Sequence, residues 1–539
     1  MTQAPRITLC MIVRDEEQAL AACLDANAPW VDEIVVVDTG SADGTVDVAR
    51  RAGARVLTID WPDDFARARN HGLAAAGGDW ILVLDADEQL DAEAGADLRR
   101  LAADPALLCL SFRRCDYDGD RLLSRVSVVR AWRRRDDIRY RYRVHEQVLP
   151  DILRVSEREG SGRGVCGGRL IHTGAAPGVV AERGKLERNR HLGELQLAET
   201  PDDPYVLFKL AETLLLQHGR GPRVRELLAR AVAALAALPD EELRALAFGG
   251  QAAALLADDL LRDGETERAW EVADFGLARC AETADLLSIH GNCALARGDG
   301  AAAAASFAAC RALAKRVGVL AAASEVTGVG ALVGLARAFA LQGQADQAAA
   351  AAAAAVALDP ASETALRCWA EMEAGAGRGR AAFVRLGEIA TDRPDWAPVW
   401  AVGGEMLAQA GAYVDALVWL DRAAALGRGE VGRGVDGLHA ARGRCLLALG
   451  RIESAAEAFE AGLPAPACIA GLIAVHLLLH ADPAAALDPA DDDLAAAARR
   501  VLDVVRGTPG HPLQARLDDA VAWLAAARFP NAAFLRRLL

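Results

Sequence analysis

Two hydrophobic rhythms divide the chain. Up to about residue 178, short β-branched runs alternate with longer stretches of helical spacing. The runs 7–13, 33–38, 55–59, 80–85 and 107–112 predict strands, and 16–26, 45–52, 65–76 and 92–102 predict crossover helices between them. This alternation implies an α/β domain, a mainly parallel sheet with helices on both faces. Right-handed crossovers gather the C-terminal strand ends on one edge, where open α/β sheets bind ligands. Beyond residue 112 the rhythm changes, and 124–132 and 138–145 predict two antiparallel strands.

From about residue 179 the strands vanish, and the chain becomes helical, alanine-rich and repetitive. Shifted by 34 residues, Leu366 falls on Trp400, Ala348 on Ala382 and then Ala416, and Pro360 on Pro394. One further unit carries Gly443, Ala455 and Phe459 after a glycine-rich insertion at 427–437, and another carries Gly291, Ala303 and Phe307. Small residues at fixed places let paired helices approach, and the larger ones fill the gaps between pairs. The period is that of a tetratricopeptide-type helical solenoid. The segment 204–238 and the tail 492–539 read as divergent repeats or caps. The predicted organisation is an α/β domain over 1–178, a helical linker over 179–203 and a repeat domain over 204–539.

Composition narrows the classes. Of 539 residues 53% are apolar, enough for sizeable cores, and the net charge of −15 gives a nucleic-acid partner no electrostatic support. Eleven scattered cysteines without a C-x-x-C pair fit reduced thiols. The first residues lack the pattern of a signal peptide, and the longest apolar run, 348–358, is mostly alanine and too short to span a bilayer. A cytoplasmic chain without a transmembrane segment is expected. Gly427, Gly429 and Gly432 spell a dinucleotide pattern but follow a helix, while His476 and His480 lack the glutamate of a zinc-protease motif.

Chemistry concentrates at two predicted strand ends. Asp85 and Asp87 close the fourth strand, and strand alternation would aim both carboxylates at one point beyond the sheet, suiting a hard divalent cation. Asp38 ends the second strand ahead of a Gly/Ser/Asp turn, where its carboxylate can accept a base N–H or a ribose hydroxyl.

The segments 7–17 (ITLCMIVRDEE), 32–45 (DEIVVVDTGSADGT), 64–70 (DFARARN) and 79–88 (DWILVLDADE) resemble family 2 glycosyltransferases of the GT-A fold in wording, order and spacing. Val144-His145-Glu146, Ile171-His172-Thr173-Gly174 and the KLERN of 185–189 resemble later motifs of a bacterial branch that carries tetratricopeptide repeats. The resemblance covers residues 6 to about 215. It implies that Val13, Glu17 and Asp38 line a nucleotide pocket, that Arg69 approaches the nucleotide and that Asn70 is structural. Asp85 and Asp87 would bridge Mn2+ or Mg2+ to the diphosphate, with His172 as a third contribution to the metal. Lys185 and Arg188 either reach the diphosphate or form a solvated helix face.

An inverting transfer also needs a base for the attacking acceptor. Glu146 resembles the acid placed opposite the leaving group; the alternative is that it pairs with Arg141 or Arg143. The alternating Arg139-Tyr140-Arg141-Tyr142-Arg143 predicts a strand with arginines on one face, near phosphates or an acidic acceptor. The expected protein is a metal-dependent glycosyltransferase using a UDP-sugar. Its expected acceptor is a peptide or protein held in the repeat groove, with a homodimer also compatible. A surface-glycan or lipopolysaccharide transferase, or a non-catalytic scaffold with an inactive domain, are the alternatives.

Overall fold

The computed structural model describes residues 4–173, 179–246, 248–280, 283–317, 325–427 and 435–475, apart from 463, 464, 466, 469, 470 and 473. The tail 492–539, the pair His476 and His480, and Gly429 and Gly432 lie outside the described residues. The chain divides into two compact units, Met1–Gly334 and Leu335–Leu539. The first unit therefore holds both the sheet and the opening helices of the repeat region.

The N-terminal elements are β1 (Ile7–Val13), α1 (Glu17–Asn27), β2 (Glu33–Asp38), α2 (Thr45–Arg51), β3 (Arg55–Thr58) and α3 (Phe65–Ala75). They continue as β4 (Trp80–Val83), β5 (Glu88–Leu90), α4 (Ala92–Ala102), β6 (Leu107–Asp118), β7 (Arg121–Arg133), α5 (Leu149–Glu159) and β8 (Gly162–His172). One eight-stranded sheet runs β3-β2-β1-β4-β7-β6-β8-β5. The first four strands are mutually parallel, as their alternation with helices requires, whereas β7 enters antiparallel between β4 and β6. The sheet is thus mixed.

Burial on both faces explains the unbroken apolar strands. Leu9, Met11, Val13, Val36 and Leu82 pack with Leu20, Leu24, Val48 and Leu98 of α1, α2 and α4. The alternate positions Cys10, Val35, Ile81 and Val83 pack with Ala66, Leu73, Ile152 and Val155 of α3 and α5. Each of the eleven cysteines is buried and free, and burial pushes the Cys10 and Cys23 thiols up to about 12, so they act as small core residues.

One predicted strand is absent. Residues 138–145 form an irregular loop, because Tyr142 and His145 take left-handed φ of 74° and 55°, which break an extended run. Conversely, β8 and α5 were not predicted. The glycines of β8 are there because neighbours pack close: Gly162 and Gly164 face Leu107 and Leu110 of β6, and Gly167 and Gly168 face α4. A Cβ on Gly168 would lie 2.2 Å from the Ala94 main-chain nitrogen.

Helices then follow as α6 (Val179–Glu199), α7 (Pro204–His218), α8 (Pro222–Ala236), α9 (Asp240–Ala245) and α10 (Gly249–Arg262). Antiparallel pairs continue through both units. Phe307 is buried against Gly291 and Gly334, where any Cβ would approach its ring within 2.7 Å. In the second unit Phe459 is buried in the same way against Gly443 and Gly471. Phe307 with Gly291 and Phe459 with Gly443 are the large and small positions that the sequence comparison picked out; Gly334 and Gly471 were not among them. Among the described residues no helix is long and apolar enough to cross a membrane.

Candidate active site

The parallel strands end together, and the candidate residues lie on and around that edge. β4 stops at Val83, so Asp85-Ala86-Asp87 is a turn, closed by the Glu88 N–H donating to the Asp85 carbonyl at 3.0 Å. The two carboxylates consequently diverge, where strand alternation would have made them parallel.

Asp85 enters a ladder of alternating charge. Arg69, on α3, donates from Nη2 to Asp85 at 2.8 Å and from Nε to Glu146 at 2.6 Å. Arg130, on β7, donates to the other Asp85 oxygen at 3.2 Å and to Glu88 at 2.5 Å. The order Glu146–Arg69–Asp85–Arg130–Glu88 joins α3, the turn after β4, β5, β7 and the loop after β7. Burial opposes charge throughout, and the outcome depends on each group's partners. For Asp85 it would raise the pKa, but Arg69 and Arg130 outweigh it and hold the carboxyl well below its usual range. For Glu88, fully buried with one cation, burial wins and the pKa is raised. The two carboxylates keep Arg69 above its ordinary value despite desolvation.

Asp87 faces the other way. Its carboxylate lies 3.3 Å from Nε2 of His172, whose Nδ1 lies 2.8 Å from Asp116. Strand pairing sets this: His172 is opposite Glu88 on β5 and Asp116 on β6. Asp116 also accepts from the Ser124 hydroxyl, so the imidazole is oriented from behind, as metal-ligating histidines usually are. Carboxylate and imidazole are donor types that Mn2+ and Mg2+ accept. Among the described residues no three acidic, histidine or cysteine side chains are gathered tightly enough to hold an ion as they stand, since Asp85 is turned to its arginines.

The remaining predicted residues are placed less directly. Asp38 is 2% exposed and accepts from the Gly40 and Ser41 N–H groups at 3.3 and 3.2 Å, an arrangement that the φ of 101° at Gly40 allows. Glu17 accepts from the Gly44 N–H at 3.1 Å and so braces the same turn. Val13 is buried, and its carbonyl is taken by Thr39; it supports the edge without a free group. Lys185 and Arg188 are both exposed; Arg188 lies over the Phe65 ring at 5.0 Å, where desolvation lowers its pKa and the nearby Glu146 offsets that effect.

Several sequence expectations change. Glu146 pairs with Arg69, not with Arg141 or Arg143. Those two arginines bind Asp151 and Glu199 of this chain, so they are committed to the fold and not to phosphates. Asn70 clasps the main chain of Tyr140 in both directions, at 2.9 Å each, in keeping with a structural role. Arg130, Glu88 and Asp116 were missed, although Arg130 lies within the strand predicted over 124–132; a charged residue in that strand was the available signal. Glu16 was also passed over: it is half-buried, and its pKa is raised first by burial and then by Asp87, Asp43 and Asp85.

Residues 8–153 match the model of glycosyl transferase family 2. Over 217 residues the chain is 42% identical to a TPR repeat-containing protein of Synechococcus elongatus, covering 40% of this chain and 53% of that protein. It is 25% identical over 224 residues to the SPbeta prophage-derived glycosyltransferase SunS of Bacillus subtilis, covering 40% and 50%. The chain thus spans about half the length of these curated relatives. A solved glucosyl-3-phosphoglycerate synthase from Mycobacterium tuberculosis, in complex with Mn2+, UDP and glucosyl-3-phosphoglycerate, shows 18% identity and a TM-score of 0.27, covering 40% of this chain and 81% of that one. Residues 8–153 thus match glycosyl transferase family 2 within a mixed α/β sheet domain that resembles the GT-A fold, followed by tetratricopeptide-like helices.

Proposed function

We propose that this chain transfers a sugar from a UDP-sugar to a nucleophile on a peptide or protein. The observation that carries this reading is the convergence of Asp85, Arg69 and Glu146 at the end of β4, beside the Asp87–His172 pair. Asp87 and His172, with Asp85 beside them, would hold Mn2+ or Mg2+. The ion, when bound, neutralises charge on the departing diphosphate.

The chain's own groups do the rest. Arg69 and Arg130 keep Asp85 ionised and supply fixed positive charge where the leaving group develops negative charge. Asp38 and its turn form the nucleotide side of the edge. Glu146 takes the proton from the attacking acceptor atom as the bond to the anomeric carbon forms, with inversion. Repeat helices offer a surface for an extended polypeptide acceptor.

The test is calorimetric titration of UDP into the full chain, with and without Mn2+, beside Asp87→Ala. Mn2+-dependent binding that the substitution abolishes is the expected result. Equal affinity in both proteins overturns the metal assignment, and no binding in any condition overturns the donor assignment.

A further inference from the structure

Glu146 sits on a loop of unusual construction. The main chains of Arg141 and Gln147 bond in both directions, at 2.9 and 3.0 Å, and close a tip of residues 142–146. Within this tip Tyr142 and His145 hold left-handed φ, a conformation that residues with a Cβ keep only when their surroundings impose it. Here the surroundings are the helices that open the repeat region.

Tyr205, in the first turn of α7, donates its hydroxyl to the His145 carbonyl at 3.0 Å and accepts from Nε2 of Gln147 at 2.8 Å. These are the two residues flanking Glu146. Tyr142 donates to Asp203, the N-cap of α7, at 3.1 Å, and its ring lies 5.0 Å from that of Tyr205. The Arg143 N–H donates to Gln196 of α6 at 3.0 Å. On its far side the Tyr205 ring packs edge-on against Phe248, which stacks on Phe208 of α7.

Arg69 fixes where the Glu146 carboxylate points, while the tip fixes where its main chain stands. A base displaced by a fraction of an ångström loses its alignment with the acceptor proton. We infer that Tyr205 is a positioning residue for Glu146, so the first repeat helix is part of the catalytic apparatus and not only a surface for the acceptor. This inference rests on the reading of Glu146 as base and extends it to a residue outside the α/β domain.

The experiment compares full-length wild type, Tyr205→Phe, Glu146→Gln and the double variant. Phenylalanine keeps the ring packing and removes both hydroxyl bonds. Three quantities are read: UDP affinity with Mn2+, amide exchange of residues 141–148, and UDP release from UDP-glucose with water as acceptor. Tyr205→Phe should leave UDP affinity unchanged and speed exchange in 141–148 without affecting β1 or β4. It should also lower kcat by about 10- to 100-fold with KM unchanged. On the Glu146→Gln background it should lower kcat no further, because the group it positions is already gone.

Exchange that does not change overturns the inference whichever sugar the site accepts, since that measurement needs no turnover. Faster exchange with an unaltered kcat overturns the catalytic share of the helix. Full UDP release by Glu146→Gln instead overturns the assignment of the base, a distinct outcome.

Discussion

Arg69 is shared between two carboxylates that the proposed reaction uses differently, one beside the leaving group and one at the acceptor. It is buried, with Nε on one acid and Nη2 on the other. Removing the shared cation leaves Glu146 without its ion-pair partner and Asp85 with Arg130 alone, and breaking such a buried pair costs about 3–5 kcal/mol. Arg69→Ala should therefore lower the urea midpoint of the first unit strongly. Arg69→Lys should recover only part of the loss, since an ammonium lacks the planar fork that reaches both acids. An unshifted midpoint in the alanine variant would show that the ladder adds nothing to stability.

His145 gives a second prediction at this scale. Burial first, then the charge of Lys209, pushes its pKa from 6.5 down to about 4. Between those values the unfolded chain binds a proton that the folded chain does not. Stability must therefore fall as the pH drops from about 6.5 to about 4, by about 3 kcal/mol in total. His145→Gln should flatten this part of the curve, measured as urea midpoints near neutral pH and at about 4.5. The same fall in both proteins would locate the proton elsewhere.

Among elements, the parallel strands were legible because burial on both faces leaves the central β1, β2 and β4 almost wholly apolar. The segments that build the site were legible only in part. β8 hides behind glycines demanded by close packing with β6 and α4, and the loop around Glu146 mimics a strand in its alternation while being held off that geometry by contacts from α6 and α7. Asp85 and Asp87 stand out in the sequence as candidates, but their divergence does not, because it depends on a turn and on arginines distant in sequence. The repeat pairs are simpler: one large ring fills the space that two glycines leave. Phe459→Ala should cost about 3–5 kcal/mol by opening a cavity that helices on both sides frame. The loss is expected in the unfolding of the second unit, with UDP titration unaltered; weakened UDP binding would count against independent units.

At the scale of the whole molecule, the two compact units should melt as two transitions. A ligand stabilises only the unit that binds it, by an amount that grows with its concentration over its dissociation constant. UDP with Mn2+ should accordingly raise the melting temperature of the transition belonging to Met1–Gly334 and leave the other in place. Scanning calorimetry with increasing UDP decides this, and parallel shifts of both transitions would reveal a single cooperative block.

One feature of the repeats was available in the sequence and overlooked. Gly264 and Gly298, and again Gly343, Gly377 and Gly411, stand 34 residues apart, and all hold φ between 73° and 79° at the turn within a helix pair. Alanine-rich helices carry little information about alignment, so these glycines act as the reading frame of the array, and Gly450, 39 residues beyond Gly411, records the five-residue insertion as a frameshift that the next pair absorbs. Excision from Gly343 up to Gly377 would thus join like to like, whereas a cut of half that length would splice a turn into the middle of a helix.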